Sequence, residues 1–423
     1  MRSLRWSGRR ACGQKRRHTD EERHQGDLCR AHGEHSTSCY NHSMSRVSLF
    51  AVEDTAVQVC WADLPVGSVL RAGDATAEVG RPGPGAASLE HLPPDSCLDL
   101  TLRLPGRGPR PRSVHRFRTL APPPGELLCR FATVNDLHVG ERSFGLLRTL
   151  GEAPGAHDEP YPLRCARAAV DEAVVWGAEA IVAKGDLTWA GLPPEWHDVA
   201  ALLGSASVPV LAVLGNHDVG KHSVDPATAL AAHGIVVRRE PSHHDLPGIR
   251  VVLADTAVAG KSAGRVQADQ RQAIAELAGA APGAVFVAMH HYPQRLQRAF
   301  MYPPGIPGDQ AGPLLDALAA ANASTFVSCG HSHRHRFHRH GPLVVTEIGA
   351  TMHYPGTWAG YAVHEGGIRQ VVRRVAAPEA IEWTERTRRA LLGAWSLWTP
   401  GRREHRCFSH TWPTRASLAN PDE

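Results

Sequence analysis

The sequence predicts an α/β core preceded by a small all-β sandwich domain. Two observations predict the core: short apolar runs recur along the chain, and alanine-rich segments with apolar residues at helical spacing lie between them. A third observation predicts the smaller domain, because the residues upstream carry short half-polar runs separated by Gly and Pro. No apolar run reaches the length of about 18 residues that a transmembrane helix needs, so we expect no membrane span.

The first 43 residues differ from the rest of the chain in charge. They carry nine Arg or Lys against five Asp or Glu, which accounts for the whole formal net charge of +4. With few apolar residues and no periodic pattern, residues 1–43 are predicted to be a disordered basic tail. Met44 is a second candidate for the true start of the protein. The tail also lacks the apolar stretch of roughly 7 to 15 residues that a secretory signal needs.

Residues 46–122 are predicted to form the all-β sandwich. Runs typical of half-buried strands lie at 56–61, 68–71, 75–79, 98–104 and 114–119. Gly and Pro turns separate them, and a proline-rich linker at 121–125 follows. This pattern indicates a small antiparallel sandwich, for which we expect a scaffolding role.

The core is predicted from five apolar runs that read as buried strands, at 128–134, 180–183, 208–214, 284–289 and 325–329. Segments at helical spacing lie at 162–176, 269–280 and 312–321. Each strand run is followed directly by side chains of the types that bind metals. Because strand and helix alternate, we expect these side chains to meet at the carboxyl edge of a sheet.

Seven such side chains occur in order along the chain: Asp136, His138, Asp186, Asn216, His290, His331 and His333. Two divalent cations roughly 3.5 to 4 Å apart need a bridging carboxylate, with oxygen and imidazole ligands on either side. An asparagine fits because its neutral amide oxygen fills a coordination position without adding negative charge. His217 is left for acid–base catalysis, and Asp218 is predicted to orient His217 or a ligand by a hydrogen bond.

Other histidines near these motifs need separate interpretation. His291 follows His290, and we expect only one of the pair to face the site because successive strand side chains alternate faces. His290 is chosen because it comes first after the apolar run. His335, His338 and His340 are assigned to a solvated loop or strand face.

From about residue 128 to 365 these five ordered motifs resemble the calcineurin-like metallophosphoesterase superfamily. The resemblance implies a catalytic domain over 126–376, with two β-sheets packed face to face and flanked by helices. It also implies that Asp186 bridges the metals. One metal would take Asp136, His138 and His333, and the other would take Asn216, His290 and His331. His217 would contact the leaving group or the phosphoryl oxygen.

The sequence Gly185-Asp186-Leu187-Thr188-Trp189 also resembles the purple acid phosphatases, with Trp189 where that family has an iron-binding tyrosine. Indole offers no phenolate, and His138 stands where those enzymes carry Gly, so we expect two divalent ions such as Mn, Fe(II), Zn or Co. The resemblance then points to bacterial phosphodiesterases acting on cyclic nucleotides or glycerophosphodiesters. The 46–122 domain resembles the fibronectin type III-like domain that precedes the catalytic domain in several phosphoesterases.

The predicted function is hydrolysis of a small-molecule phosphate ester, most simply a phosphodiester, by a metal-bridging hydroxide. Two alternatives remain at this point. A phosphomonoesterase or protein phosphatase would use the same metal site, and a non-catalytic protein would bind a partner through its sandwich. The arginine excess, 42 Arg against 4 Lys, reflects compositional bias rather than nucleic-acid recognition.

Downstream of the last motif, runs at 343–347, 361–364 and 367–375 are predicted to complete the second sheet. Residues 377–423 are predicted to be a helical extension and tail, with the helical pattern at 379–395 docking on the core. The loop at 301–305, His353 and Tyr354 are candidates for the rim of the site. The nine cysteines show no short paired spacing, which favours buried thiols and a cytoplasmic location.

Overall fold

The computed structural model describes residues 47–107, 111–145, 148–153, 155–220, 223–235, 237–297 and 302–413. The predicted basic tail over 1–43 lies outside these residues. Among the helices within the described ranges, none is both long and apolar enough to cross a membrane.

Seven strands precede the linker: β1 (Val47–Val52), β2 (Val57–Trp61), β3 (Val69–Ala72), β4 (Ala75–Glu78), β5 (Gly85–Leu89), β6 (Cys97–Arg103) and β7 (Arg112–Arg118). They form two antiparallel sheets with strand orders β1-β2-β5 and β4-β3-β6-β7. Val59 and Leu70, one from each sheet, meet in a shared apolar core. The predicted all-β architecture is confirmed, although β1 and β5 were not recognised in the sequence.

Two six-stranded sheets make up the larger part of the molecule. Their strands are β8 (Leu127–Val134), β11 (Ile181–Lys184), β12 (Val210–Val213), β13 (Ser242–Leu246), β14 (Ile249–Ala254), β15 (Ala284–Met289), β16 (Thr325–Cys329), β17 (Arg336–His340), β18 (Leu343–Glu347), β19 (Thr357–His364), β20 (Gly367–Arg374) and β21 (Phe408–Thr411). The first sheet has the order β12-β11-β8-β19-β20-β21, and the second has the order β13-β14-β15-β16-β18-β17. A small ribbon pairs β9 (Ser143–Phe144) with β10 (Leu150–Gly151).

The two sheets pack face to face through aromatic side chains. Phe131 of β8 stacks on Tyr361 of β19 with ring centroids 5.0 Å apart. Across the interface it meets Phe286 of β15 edge-on at 4.9 Å. All three belong to one buried cluster that draws on both sheets. Because side chains alternate along a strand, Ala132 and Val134 face the opposite side, in the cluster shared with helices.

Helices cover the outer faces of both sheets. They are α1 (Tyr161–Val175), α2 (Pro193–Gly204), α3 (Ala227–Ala231), α4 (Ala268–Gly279), α5 (Gly308–Ala321), α6 (Pro378–Thr387), α7 (Ala394–Trp398) and α8 (Arg403–Arg406). Residues of α1, α2 and α6 share an apolar cluster with the first sheet, and residues of α4 and α5 share one with the second. The predicted α/β class, two sheets flanked by helices, is therefore confirmed.

Parallel pairing places the ligand-type motifs at one edge of each sheet. In the first sheet β11 runs parallel to both β8 and β12, and in the second β15 runs parallel to β14 and β16. Each of the five strands ends within three residues of the first ligand-type side chain of its motif. Strand β14, which the sequence analysis missed, also belongs to this set and is followed by Asp255.

The C-terminal segment differs from the continuous helix predicted over 379–395. Helix α6 ends at Thr387, a 3-10 turn covers Ala390–Gly393, and α7 follows. Leu391 and Leu392 have positive φ angles of 53° and 56°, a left-handed conformation that breaks the helix. Within α6, Trp383 is buried and stacks on Tyr161 of α1 at 3.8 Å.

The cysteines are mostly buried thiols. Cys60, Cys129, Cys165, Cys329 and Cys407 are free and buried. Cys97 is disulfide-bonded, so the expectation of a buried thiol is wrong at that position.

Candidate metal centre

Five of the seven predicted ligands share an unusual backbone conformation. Asp136, His138, Asp186, His331 and His333 all have positive φ angles, between 46° and 68°. Left-handed backbone is uncommon outside glycine and is found at functional sites where the surrounding structure enforces it. The strand ends therefore turn sharply, so that each ligand-type side chain points over the sheet edge instead of continuing along the strand.

Glycines beside these residues are needed for close packing. A Cβ atom on Gly185 would lie 2.7 Å from Nδ1 of His290, and one on Gly330 would lie 2.8 Å from Oδ2 of Asp136. Gly185 also has a φ of +80°. The Gly-Asp and Gly-His pairs of the sequence thus have a steric origin.

The first group of ligand-type atoms contains Asp136, His138, Asp186 and His333, whose donor atoms all lie within 4.8 Å of one another. Nε2 of His333 is 3.2 Å from Oδ1 of Asp136 and 3.3 Å from Nε2 of His138. Asp136, His138 and Asp186 are buried, and the side chain of His333 is 19% exposed. It coincides with the ligand set predicted for one metal together with the predicted bridge.

The second group contains His290, His291 and His331, again within 4.8 Å. Nε2 of His290 lies 3.2 Å from Oδ2 of Asp186, while Nε2 of His138 lies 3.6 Å from the same oxygen. Oδ2 of Asp186 therefore stands between the two groups. The buried Oδ1 of Asn216 has no hydrogen-bond partner among the described residues.

Both histidines of the His290–His291 pair face the site, contrary to the expectation that only one would. Strand β15 ends at Met289, so the alternation of faces does not extend to them. Nδ1 of His290 donates to the carbonyl of Lys184 at 2.8 Å, which leaves its Nε2 directed at Asp186. Nδ1 of His291 contacts Oγ1 of Thr256 at 2.8 Å.

Electrostatic coupling in the cluster favours ionised carboxylates. Burial by itself would raise the pKa of Asp186, but the neighbouring His290 holds that pKa well below its usual range. Burial alone would lower the pKa of His290, but Asp186 raises it to about 9. Burial also lowers the pKa of His331 to about 3, which keeps that imidazole neutral. A bound cation would therefore displace protons from the site.

His217 is held by its neighbours in a defined orientation. Its Nδ1 lies 2.7 Å from the carbonyl oxygen of Trp189, so this nitrogen donates and Nε2 stays available. Its ring packs against the Trp189 indole at 4.8 Å, and its backbone N–H donates to Oδ1 of Asp186 at 2.9 Å. The side chain lines the central cavity.

Asp218, grouped with His217 as a candidate for catalysis, is predicted from the sequence to orient either His217 or a metal ligand by a hydrogen bond. Its carboxylate accepts hydrogen bonds from the backbone of Leu187, Thr188 and Gly215 at 3.2, 2.8 and 2.8 Å, and from Oγ1 of Thr188 at 2.7 Å. It therefore ties the loop that carries Asp186 to the loop that carries Asn216. Of the two roles considered, orienting ligands is the one that these contacts support.

His335 is also placed differently from its prediction. It is buried, with Nδ1 accepting from the backbone N–H of Gly349 at 3.1 Å. His338 and His340 are half-buried on strand β17. His335 is thus a hydrogen-bonded core residue instead of a solvated one, because the turn before β17 runs beneath the C-terminal segment, where its N–H donates to Thr399.

The donor set fits divalent cations. Two carboxylates, four or five imidazoles and one amide oxygen converge, and the buried Nε2 of His290 and Oδ1 of Asn216 have no other described partner. Neutral imidazole with carboxylate oxygen suits Mn, Fe(II), Co and Zn. The residues present therefore fit metal ions.

A cavity of about 660 Å³ opens above the ligand-type residues. Besides His138, Asp186, Asn216, His217, His331 and His333, its lining includes Glu141, Phe144, Trp189, Tyr302, Met352, His353, Trp395 and Trp398. Among these lining residues, Glu141, Phe144, Met352, Trp395 and Trp398 were not predicted from the sequence to border the site. A single sequence offers no periodic signal for them, because loops and the C-terminal segment bring them together.

Comparison with known proteins identifies the central region. Residues 129–335 match the model of the calcineurin-like phosphoesterase family. The chain contains a calcineurin-like phosphoesterase domain. This matched domain includes all seven predicted ligands, whereas the all-β domain and residues 336–413, with Trp395 and Trp398, lie outside it.

Two known proteins align with parts of this chain. It is 27% identical over 183 residues to the glycerophosphodiester phosphodiesterase GpdQ of Enterobacter lignolyticus, covering 41% of this chain and 63% of that protein. It is 31% identical over 124 residues to a cAMP/cGMP dual specificity phosphodiesterase of Mycobacterium tuberculosis, covering 27% of this chain and 37% of that protein. The chain thus spans less than two thirds of the length of either relative.

Among solved structures, a purple acid phosphatase from yellow lupin seeds aligns with a TM-score of 0.42 and 13% identity, covering 78% of this chain and 72% of that one. PhoD aligns with a TM-score of 0.41 and 9% identity, covering 78% and 87%.

Proposed function

We propose that this protein is a dinuclear-metal phosphodiesterase acting on a small-molecule phosphate ester. The observation that carries the proposal is the position of Asp186, whose Oδ2 lies 3.2 Å from Nε2 of His290 and 3.6 Å from Nε2 of His138. One carboxylate oxygen thus faces both groups of imidazoles. A bridging carboxylate is what a pair of cations about 3.5 to 4 Å apart requires.

The ligand residues divide into two sets around that bridge. Asp136, His138 and His333 would hold one ion, and Asn216, His290 and His331 would hold the other. When bound, the two ions would supply an activated water as nucleophile and neutralise charge on the phosphate oxygens. Identity with characterised phosphodiesterases over part of the chain supports a diester substrate.

His217 would assist departure of the alcohol. Because its Nδ1 donates to the carbonyl of Trp189, the protonated ring presents Nε2–H to the cavity. As the bond between phosphorus and the leaving oxygen breaks, Nε2 would transfer its proton to that oxygen. Trp189 thus fixes the ring through both its backbone carbonyl and its indole face.

Asp186→Asn provides the test, with Asp198→Asn, an exposed position on α2, as the matched control. Hydrolysis of bis-p-nitrophenyl phosphate would be measured at saturating Mn, together with Mn bound per chain. We expect Asp186→Asn to lose activity at least about 10³-fold and to bind less Mn, while the control matches wild type. Wild-type turnover by Asp186→Asn would overturn the proposal.

A phosphomonoesterase would use the same cluster. Both ester classes, including p-nitrophenyl phosphate, would be assayed with Mn, Fe(II), Zn and Co in parallel. We expect kcat/KM to be higher for the diester, because the 660 Å³ cavity has room for a second substituent. A preference for the monoester would favour the alternative enzyme class, and no turnover with any metal would favour a non-catalytic role.

We also propose a cytoplasmic location, supported by the five free buried cysteines. The disulfide at Cys97 is an observation against it. Trapping thiols with iodoacetamide in intact cells, followed by mass spectrometry of the Cys97 peptide, tests the proposal. An alkylated Cys97 would support a reducing compartment, and an oxidised one would contradict it.

A further inference from the structure

One wall of the cavity is rich in aromatic side chains, and its two tryptophans lie outside the residues that match the phosphoesterase family model. Trp395 and Trp398 both lie on α7, some 60 residues beyond the matched family region, and both line the cavity above the metal ligands. Phe144 and Met352 extend the same wall. The metal-binding chemistry does not require any of these side chains, so their presence needs another explanation.

Trp395 is held in place by two ring contacts. Its indole meets His353 at 5.2 Å with an interplanar angle of 73°, and Phe144 at 5.4 Å with an angle of 64°. Its Nε1 atom is buried and hydrogen bonds to none of the described residues. A buried indole N–H usually has an acceptor. An acceptor supplied by a ligand would satisfy it.

Trp398 is held by a cation–π contact with Arg334. The guanidinium carbon of Arg334 lies 4.2 Å from the centre of its ring, and the indole is 36% exposed. Such a cation–π contact holds the ring in a defined plane. Trp398 also lines the cavity, where its partly exposed side chain is available to stack on a bound group.

The aromatic wall and the proposed proton donor lie beside different histidines of the first ligand group. His217 packs against His138 at 4.6 Å and against Trp189. Trp395 lies 6.5 Å from His333, with His353 packed against both. A leaving oxygen must lie near His217 to receive a proton. The group bound at the Trp395 side is then the other substituent on phosphorus.

We propose that Trp395 and Trp398 form a subsite for the ester substituent that stays on phosphorus, and that this subsite selects a planar aromatic group. The inference rests on the proposed function. In the reaction, the bond from phosphorus to the incoming water oxygen forms and the bond to the leaving oxygen breaks, while the bond to the retained substituent stays intact. A monoester has no such substituent, so the same subsite favours diesters.

Two diesters with one leaving group test the proposal. Phenyl p-nitrophenyl phosphate and methyl p-nitrophenyl phosphate both release p-nitrophenolate, so only the retained group differs. We expect wild type to prefer the phenyl compound in kcat/KM. Trp395→Leu and Trp398→Leu should each lower this phenyl-to-methyl ratio roughly threefold to tenfold, the range for losing one stacked ring. Trp395→Phe should keep most of the preference.

Leu397→Ala is the matched control, because Leu397 lies on the same helix, is 72% exposed and does not line the cavity. Its ratio should equal that of wild type. If Trp395→Leu fails to fold, Trp398→Leu still tests the subsite, because Trp398 is partly exposed. An unchanged phenyl-to-methyl ratio in Trp398→Leu, or a wild-type preference for the methyl compound, would overturn the subsite.

Failure of the proposed function would be recognised separately. If wild type hydrolysed neither diester, calorimetry would compare the binding of diphenyl phosphate and dimethyl phosphate to the Mn-loaded protein. Tighter binding of the diphenyl compound that is lost in Trp398→Leu would support an aromatic subsite without turnover. Equal affinities for the two compounds would overturn the subsite as well.

Discussion

Nδ1 of His333 lies 2.8 Å from Nε2 of the buried His353. Burial, reinforced by His333, holds the pKa of His353 well below its usual range and keeps that ring neutral. A cation held by Nε2 of His333 would leave the proton of that ring on Nδ1, which would then donate to Nε2 of His353. This hydrogen bond would favour the tautomer of His333 whose Nε2, beside Asp136 and His138, is free to bind a cation. His353 is therefore a positioning residue for one half of the metal centre.

Removing this partner should weaken the metal centre. We expect His353→Ala to reduce the affinity for one Mn ion about 10- to 100-fold, the usual effect of losing a hydrogen bond to a ligating histidine. Titration calorimetry would measure it. His353→Gln keeps an acceptor and should recover part of the affinity. Identical Mn affinities for His353→Ala and wild type would show that His333 needs no such support.

His217 should affect turnover without affecting metal content. Since its Nδ1 is bonded to Trp189 and its Nε2 faces the cavity, we expect His217→Ala to bind both ions and to turn over about 10² to 10⁴ times more slowly. The loss should be smaller for esters with good leaving groups, which need little protonation. Metal analysis and a series of aryl esters would check both expectations.

Asn216→Ala is the contrasting variant. In the wild type, the buried amide oxygen of Asn216 has no hydrogen-bond partner among the described residues, and we expect it to bind a cation. One ion should therefore be lost first, and excess Mn should restore part of the rate. If His217→Ala behaved this way instead, His217 would be a ligand and not a proton donor.

Asp218 should matter for stability more than for proton transfer. Both of its oxygens accept hydrogen bonds from buried donors on Leu187, Thr188 and Gly215. In Asp218→Asn an NH₂ group would face some of these donors, so we expect a loss of about 2 to 4 kcal/mol in the free energy of unfolding. Urea unfolding would measure it, with Asp198→Asn as the exposed control. A loss below about 0.5 kcal/mol would contradict this role.

The grouping of the ligand-type side chains could be predicted from sequence because each of their motifs follows an apolar strand, and parallel strand ends meet by geometry. The surroundings of these side chains could not be predicted in the same way. His335 is polar in a histidine-rich run, yet the packing of residues near Thr399 buries it. Leu391 and Leu392 carry no signal for left-handed backbone, so the break before α7 was missed, and with it the position of Trp395 in the cavity. Such contacts depend on tertiary packing between distant segments.

The buried carboxyl of Asp255 predicts a pH dependence of stability. Burial raises its pKa to about 6 from the ordinary value of about 3.8 for an aspartate, although Arg239 opposes this. As pH rises from about 4 to 7 the unfolded carboxyl ionises first, so the folded state loses stability relative to the unfolded state. At about 1.4 kcal/mol per pKa unit, the loss is about 3 kcal/mol at most.

Asp255→Asn removes the titrating group. Unfolding in urea at several pH values would give the difference in stability between this variant and wild type. We expect the free energy of unfolding of the variant to increase relative to that of wild type as the pH rises from about 4 to 7. This difference should level off above pH 7. A difference that stayed constant with pH would mean that Asp255 has an ordinary pKa.

Trp189 predicts the colour of the protein. Its indole packs on His217 at 4.8 Å and lies 5.6 Å from the ring of His138, beside the metal centre, but it offers no phenolate. We therefore expect a preparation loaded with iron to show no visible tyrosinate-to-iron charge-transfer band, and metal analysis of the active protein to find two divalent ions per chain. Visible absorption spectra recorded before and after oxidation, with the Mn-loaded protein as control, provide the measurement. A purple iron-loaded protein would mean that a phenolate from another residue binds the metal. The expectation that we base on Trp189 would then be wrong.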